Sequence, residues 1–378
     1  MTETELQLRA HLATARRIVV KVGSSSLAST QAGLALDRLE ALVAAVAARH
    51  QRGSEVVLVS SGAIAAGLEP LGFTHRPTDL AQQQAAAAVG QSLLMWAYTQ
   101  AFAAYGIRTA QILLTKEDLA RKSSYRNALQ TFGALTRLHV IPVVNENDTV
   151  ATREIRLGDN DHLAALVAEL VRADALFLLS DVDGLYTAHP SDPAATRIPV
   201  VTQPADLAVD TLQPGASGVG SGGMTTKVEA ARLASTAGIP VALARWDQAA
   251  AILAGEAVGT VFAAAPKRLS RYQGWLAHAS AIQGRLYVDS GAVRALAGGT
   301  ASLLAAGVRR IEGGFQAGDS VEVVAPDATV IARGAVAFDA GELPRMLGRT
   351  STDLIADLGQ QYGRPVIHRD DLVLSADL

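Results

Sequence analysis

Six short runs in this chain are apolar along nearly their whole length: "RIVVKVG", "EVVLVSSG", "TAQILLT", "VIPVVN", "ALFLLSDVDG" and "PVALA". A strand with one solvated face alternates apolar and polar residues; a strand buried on both faces does not. Helical patterns separate the runs. In "LDRLEALVAAVAARHQRG", Leu36, Leu39, Val43, Val46 and Ala47 share one face and Gly53 follows as a stop signal. A second helical stretch covers about Leu80 to Tyr105 and ends at Gly106. Buried strands alternating with helices specify an α/β fold, an open, mostly parallel sheet sandwiched by helices. Such sheets bind ligands at the carboxyl ends of their strands.

Composition narrows the function classes. With 378 residues the chain has room for a sizeable core and two domains. Aromatics are only 4% and glycines number 33, which suits helices packed closely on a sheet. The net charge of -3 gives no overall basic field for nucleic acid or membrane. The absence of cysteine excludes disulfides, thiolate catalysis and Cys-ligated metals. The start, "MTETELQLRAHLATARR", has no apolar run after a basic opening, so no signal peptide is expected. No apolar stretch approaches about 18 residues, so neither is a membrane span. The expected location is the cytoplasm.

The pattern changes near Pro266. "APKRLSRYQGWLAHAS" reads as a linker or connecting strand, and beyond Ile282 the segments shorten. "GRLYVDSGA", "AGVRRIEGGFQAGDSVEVVAP", "TVIARGAVAF" and "RPVIHRDDLVL" are short strands with Gly, Asp and Pro turns, joined by brief helices at "ALAGG" and "GELPRMLG". The expected organisation is a first domain over 1–265 with an N-terminal extension over 1–16, a linker over 266–281, and a small β-rich domain over 282–378.

Three strand-end loops carry candidate chemistry. "VVKVGSSSL" places Lys21 at the end of an apolar strand, where an ammonium is costly unless paired. It is either an edge-strand lysine with its head in solvent or a cation aimed at phosphate, with Gly23 admitting the backbone N–H groups. "VLVSSGAIAAGL" sets Ser60, Ser61 and Gly62 at a helix start, which serves either as an ordinary cap or as an anion site. Capping alone does not require Gly62. A close-lying carboxylate or phosphate would. "GASGVGSGGMTTKVEAARLA" is a glycine-rich loop feeding a helix. Its Gly218, Gly220 and Gly223 match G-x-G-x-x-G, but no strand precedes them, so the dinucleotide context is missing. What remains is a loop able to fold over phosphates, with Lys227 as a second cation.

The polar counterpart is "VVNENDTVATREIRLGDNDHLAALVAEL", Val143 to Leu170, a strand end followed by an amphipathic helix. Asn145, Asp148, Asp159, Asn160 and Asp161 fall between them. Asn and Asp are ordinary turn residues, and Asp159 or Asn160 could cap the helix. Two such clusters in one connection ask for more. Asp161 can direct the two lysines, while Asn145, Asp148 and Asn160 can hold an ammonium and a carboxylate. His162 stands among them, and a lone histidine there suits a structural hydrogen bond.

Taken in order, "KVGSSSL", "SSGAIAAG", "VVNENDTVAT", "GDND", "LSDVDGLYT" and "GSGGMTTK" resemble the glutamate 5-kinase family, a branch of the amino acid kinases. The resemblance covers nearly the whole chain, and the part with "FQAGDSVEVV" resembles a PUA domain, a module also found in RNA-modifying enzymes. Ser60 and Ser180 stand where threonine is also common in the family. The resemblance implies ATP-dependent phosphorylation of the L-glutamate side-chain carboxylate, the first step of proline biosynthesis. It assigns Lys21 and Lys227 to the transferring phosphoryl group and Asp161 to orienting them. Ser61, Gly62, Asn145, Asp148 and Asn160 would bind glutamate. Lys21, Gly23, Ser180, Asp181 and the run Ser221, Gly222, Gly223, Met224, Thr225, Thr226 and Lys227 would line the nucleotide pocket.

Mg²⁺ is expected on the ATP phosphates and water, with no dedicated protein ligands. Glutamate's side-chain carboxylate is already ionised near neutrality, with a pKa of about 4.3, so the chemistry needs no general base. The family also implies feedback inhibition by proline and assembly into dimers or tetramers. RNA is the rival partner, through Arg285, Arg294, Arg309, Arg310, Arg333, Arg345 and Arg349. Interspersed acidic residues and few aromatics for base stacking argue against it as the main role.

Overall fold

The computed structural model describes residues 1–27, 33–150, 160–188, 192–204, 223–266 and 268–375. The chain divides into two compact units, residues 1–119 with 123–268, and residues 120–122 with 269–378.

The first unit is built on a sheet that has eight strands among the described residues. These are β1 (Arg17–Val22), β2 (Glu55–Ser60), β3 (Arg108–Leu114), β4 (Val140–Glu146) and β5 (Ala175–Ser180). After a small β6–β7 hairpin (Leu185–Tyr186, Arg197–Ile198) come β8 (Val200–Val201), β9 (Val241–Arg245) and β10 (Thr260–Phe262). The spatial order is β3-β4-β2-β1-β5-β9-β10-β8, parallel throughout except between β9 and β10. The mostly parallel α/β sheet expected from sequence is present. The six apolar runs are β1, β2, β3, β4, β5 and β9, while β8 and β10 are too short to carry a sequence pattern.

Strand β3 departs from the fully buried expectation. It forms the sheet edge, and four of its seven residues alternate between exposed and half-buried, because an edge strand has a neighbour on one side only. Helix Asn160–Val171 departs the other way. Its sequence suggests one apolar face, yet all its residues but His162 are buried, since the helix also packs against helix Met224–Thr236. The stretch taken as an N-terminal extension forms helix Glu3–Thr14, capped by Thr2. Arg9 pins that helix, donating to the carbonyls of Glu256 (2.6 Å) and Val258 (2.7 Å) and pairing with Glu5.

The second unit holds five strands among the described residues, β11 (Ile282–Val288), β12 (Val308–Gly313), β13 (Ser320–Val324), β14 (Val330–Ala335) and β15 (Leu372–Leu374), in order β12-β11-β13-β14-β15. They enclose a core of their own around Leu286, Val308, Val321, Phe338, Met346 and Ile367. Residues 271–279, read from sequence as linker or connecting strand, are helical. Ser270 and Gln273 form a reciprocal capping box that starts the first turn there. Helix Ser351–Leu358, capped by Thr350, has no counterpart in the sequence reading.

The site is positioned by β1 and β5. From β1 the chain proceeds to β2 and outward to β4 and β3, then returns to β5 on the other side. Connections thus diverge from this pair, the arrangement at which open α/β sheets bind ligands outside the strands' carboxyl ends.

Candidate active site

Lys21 lies in the last turn of pleat of β1, only 2% exposed, with an apolar strand on each side. Its ammonium meets the Oδ1 of Asp161, so the edge-strand reading is excluded. Asp161 is the second residue of helix Asn160–Val171 and is fully enclosed. Its other oxygen, Oδ2, accepts from Lys227 Nζ at 3.1 Å and from Thr226 Oγ1 at 3.3 Å. Lys227 sits one turn inside helix Met224–Thr236, whose packing on the Asn160–Val171 helix brings the two groups together. Two ammonium groups thus converge on one carboxylate. Burying three charges is costly, and the ion pairs offset that cost while holding together two cations that would otherwise repel.

Beside this triad runs a ladder of amides. Asn160 Nδ2 lies 3.1 Å from the Ser60 carbonyl, 2.8 Å from Ser61 Oγ and 2.8 Å from Asn145 Oδ1. Asn145, at the end of β4, uses the same Oδ1 to accept from the Glu146 backbone N–H at 2.9 Å. Its Nδ2 donates to Gln91 Oε1 at 2.7 Å. The ladder leaves the Oδ1 of Asn160 buried without a partner. A native fold seldom strands a buried acceptor, and one at a strand-end crevice invites a donor from a ligand.

Gly62 precedes helix Ala63–Leu68 at φ +106°, a conformation that other residues rarely adopt. The turn itself therefore requires glycine, a reason that the sequence reading did not consider. Next to it opens a cleft of about 210 Å³ whose lining includes Ala63, Gln91, Ser92, Gln111, Glu146 and Asp148. At the end of β5, Ser180 donates to Asp181 Oδ1 at 2.9 Å. Gly23 follows β1, its N–H bonded to the Leu179 carbonyl at 3.2 Å, which places it between the lysine strand and β5. Met224 and Thr225 open the Lys227 helix after Gly223. Ser221, Gly222, Asp159 and the earlier glycines of that loop lie outside the described residues.

Burial, with Lys116 nearby, pushes the His162 imidazole below the ordinary value. Gln91 was missed in the sequence. The available signal was Gly90, a glycine inside a helical pattern, which marks a close approach. In helix Leu80–Ala103 a Cβ at Gly90 would come within 1.8 Å of the Ala63 carbonyl oxygen, so the helix lies hard against Ala63–Leu68 and carries Gln91 to the ladder.

Comparison with known proteins agrees with this architecture. Residues 16–245 match the model of the amino acid kinase family, and residues 284–358 match the PUA domain. The chain is 56% identical over 361 residues to the glutamate 5-kinase of Streptomyces coelicolor, covering 95% of this chain and 96% of that one. It is 55% identical over 368 residues to the glutamate 5-kinase of Frankia casuarinae, covering 97% and 99%. The chain belongs to the glutamate 5-kinase branch of the amino acid kinase family. Carbamate kinase from Giardia lamblia bound to AMP-PNP shares the fold of the amino acid kinase unit. It has a TM-score of 0.50 at 18% identity, covering 67% of this chain and all of that one. In the amino acid kinase unit, the Lys21–Asp161–Lys227 triad, the amide ladder and the cleft all stand at the carboxyl ends of the parallel strands.

Proposed function

We propose that this chain transfers the terminal phosphoryl group of ATP to the side-chain carboxylate of L-glutamate, giving L-glutamyl 5-phosphate for proline biosynthesis. The observation that carries the reading is the convergence of Lys21 and Lys227 on Asp161 beside the unpartnered Oδ1 of Asn160. An attacking carboxylate is an anion, and so is the phosphate that it approaches. The main task is to neutralise charge and align the two for in-line transfer. Lys21 and Lys227 supply positive charge where it develops, and Asp161 fixes their direction so that none of it is spent on reorganisation. The nucleophile needs no base, because it is already ionised.

Glutamate occupies the ladder and cleft. Ser61, Gly62 and Asn145 hold its polar ends, while Asp148 and the Asn160 Oδ1 attract its ammonium. Gly23, Ser180, Asp181 and the run from Ser221 to Lys227 line the nucleotide side. Among the described residues no group of three or more acidic or histidine side chains is disposed to hold a metal ion. Mg²⁺ would arrive on the ATP phosphates and water, where it would neutralise phosphate charge. Proline shares glutamate's ammonium and α-carboxylate, so it would compete at the same polar ends as a feedback inhibitor. We assign residues 1–265 to the kinase domain, 266–281 to a linker and 282–378 to the PUA-like domain, and expect assembly into dimers or tetramers. Among the described residues no helix is long and apolar enough to cross a membrane. The requirement for ATP is the support for a cytoplasmic location.

The test is ATP- and Mg²⁺-dependent acyl-phosphate formation, trapped as hydroxamate, with L-glutamate, N-acetyl-L-glutamate and L-aspartate, and with UMP followed by ADP release. Turnover of glutamate alone, suppressed by added proline, is the expected result. Turnover of another substrate instead would keep the fold and overturn the specificity.

A further inference from the structure

We propose that Gln91 reads the α-carboxylate of the amino-acid substrate. The inference rests on the proposed glutamate site and deepens it. Asparagine and glutamine amides are usually ambiguous, because oxygen and nitrogen look alike to their neighbours. Here the backbone removes the ambiguity at two points. The Glu146 N–H can only donate, so the Asn145 atom facing it is Oδ1. The Ser60 carbonyl can only accept, so the Asn160 atom facing it is Nδ2. With its oxygen fixed, Asn145 must turn its Nδ2 to Gln91, and Gln91 must present Oε1 in return. The only group that Gln91 has left to offer is its NH₂, a pure donor.

Gln91 lines the cleft, together with Ser92 and Gln111, which carry further donors, and with Glu146 and Asp148, which carry carboxylates. A cleft lined by both donors and carboxylates suits a zwitterion, an ammonium beside a carboxylate on the same carbon. Gln91 thus has two jobs. Its Oε1 anchors the ladder that ends at Asn160, and its NH₂ recognises an anionic group at the end of the substrate remote from the lysines.

The discriminating probe is the α-amide of L-glutamate, which keeps the ammonium and the side-chain carboxylate but has no α-carboxylate. Gln91→Glu keeps an acceptor for Asn145 and, assayed at about pH 7 where an ordinary carboxyl is ionised and the α-amide's ammonium is mostly kept, replaces the donor with a negative charge. Gln91→Met removes donor and acceptor together at similar volume. Both variants should raise the KM for L-glutamate by about tenfold or more, as expected for losing a hydrogen bond to a charged group. The KM for ATP should hold. The ratio of kcat/KM for L-glutamate to that for its α-amide should fall by about the same factor. A purely structural role would depress both substrates alike and leave the ratio unmoved. Wild-type-like ratios in a folded variant would overturn the assignment of Gln91 alone. Wild-type protein that phosphorylates no glutamate would overturn the site reading and this inference together.

Discussion

Lys21 shows how a single residue can carry contradictory signals. Inside an apolar strand a lysine is a liability, and it is tolerated here because Asp161 waits at the next layer. The same carboxylate holds Lys227, so both cations depend on one group contributed by helix Asn160–Val171. In the proposed reaction, removing Lys227 takes away one of the two charges that would face the transferring phosphoryl group. Lys227→Ala should therefore lower kcat by about 10²–10³-fold with little change in glutamate KM, as steady-state hydroxamate assays would show. Asp148 acts differently. Its carboxylate borders the cleft, where in the proposed site it would select a free ammonium over an acylated one. Asp148→Asn should raise the glutamate KM by about tenfold while leaving that for ATP nearly constant. An unchanged glutamate KM would remove Asp148 from the site.

At the scale of elements, close packing sets the geometry. Gly67 and Gly90 face across the contact between helices Ala63–Leu68 and Leu80–Ala103, and a Cβ at either would meet backbone atoms within 2 Å. The backbones approach as they do because both residues lack side chains. Gly90→Ala should cost about 1–3 kcal/mol or more as the helices are forced apart, seen as a lower Tm. Because Gln91 is the next residue, the glutamate KM should rise as well. Helix Asn160–Val171 ties the site to the core in a similar way, since its first two residues join the ladder and the triad while all the rest but His162 is buried.

At the scale of the whole molecule, stability is linked to pH through Glu169, near the far end of that helix. Its Oε1 is buried without a partner. Burial pushes its carboxyl up to about 8, against a weaker opposing pull from Arg268. The folded chain therefore keeps this proton up to about pH 8, whereas the unfolded chain releases it near the ordinary value of 4.5. Stability from this group is full below the unfolded value and declines as pH rises through the window up to the folded one. Glu169→Gln should remove that decline, so the variant gains Tm relative to wild type at the alkaline end and matches it more nearly in acid. Parallel thermal scans across that window would show the two curves diverging with pH. Each of the two units meanwhile has its own apolar core. The arginines of the second unit are largely engaged with acids, Arg285 with Glu322, Arg309 with Asp289 and Arg349 with Asp357. That pairing leaves little of the basic field that an RNA surface needs.

The sequence by itself determined the strands buried on both faces, the polar clusters at their ends and the order of motifs, because burial period, turn chemistry and spacing are local properties. It exposed Lys21 as out of place in an apolar strand, and set Asp161 and Lys227 near strand ends of the same sheet. Only the tertiary structure decided that these three meet, that Gly62 is required by its own turn, and that Gln91 belongs to the amide ladder. The hydrogen bond between Gln91 and Asn145 spans 54 residues of chain. A glutamine on a helix carries no mark of the asparagine that it will face. That pairing is fixed by how closely two glycine-bearing helices can pack, a distance that no local pattern encodes.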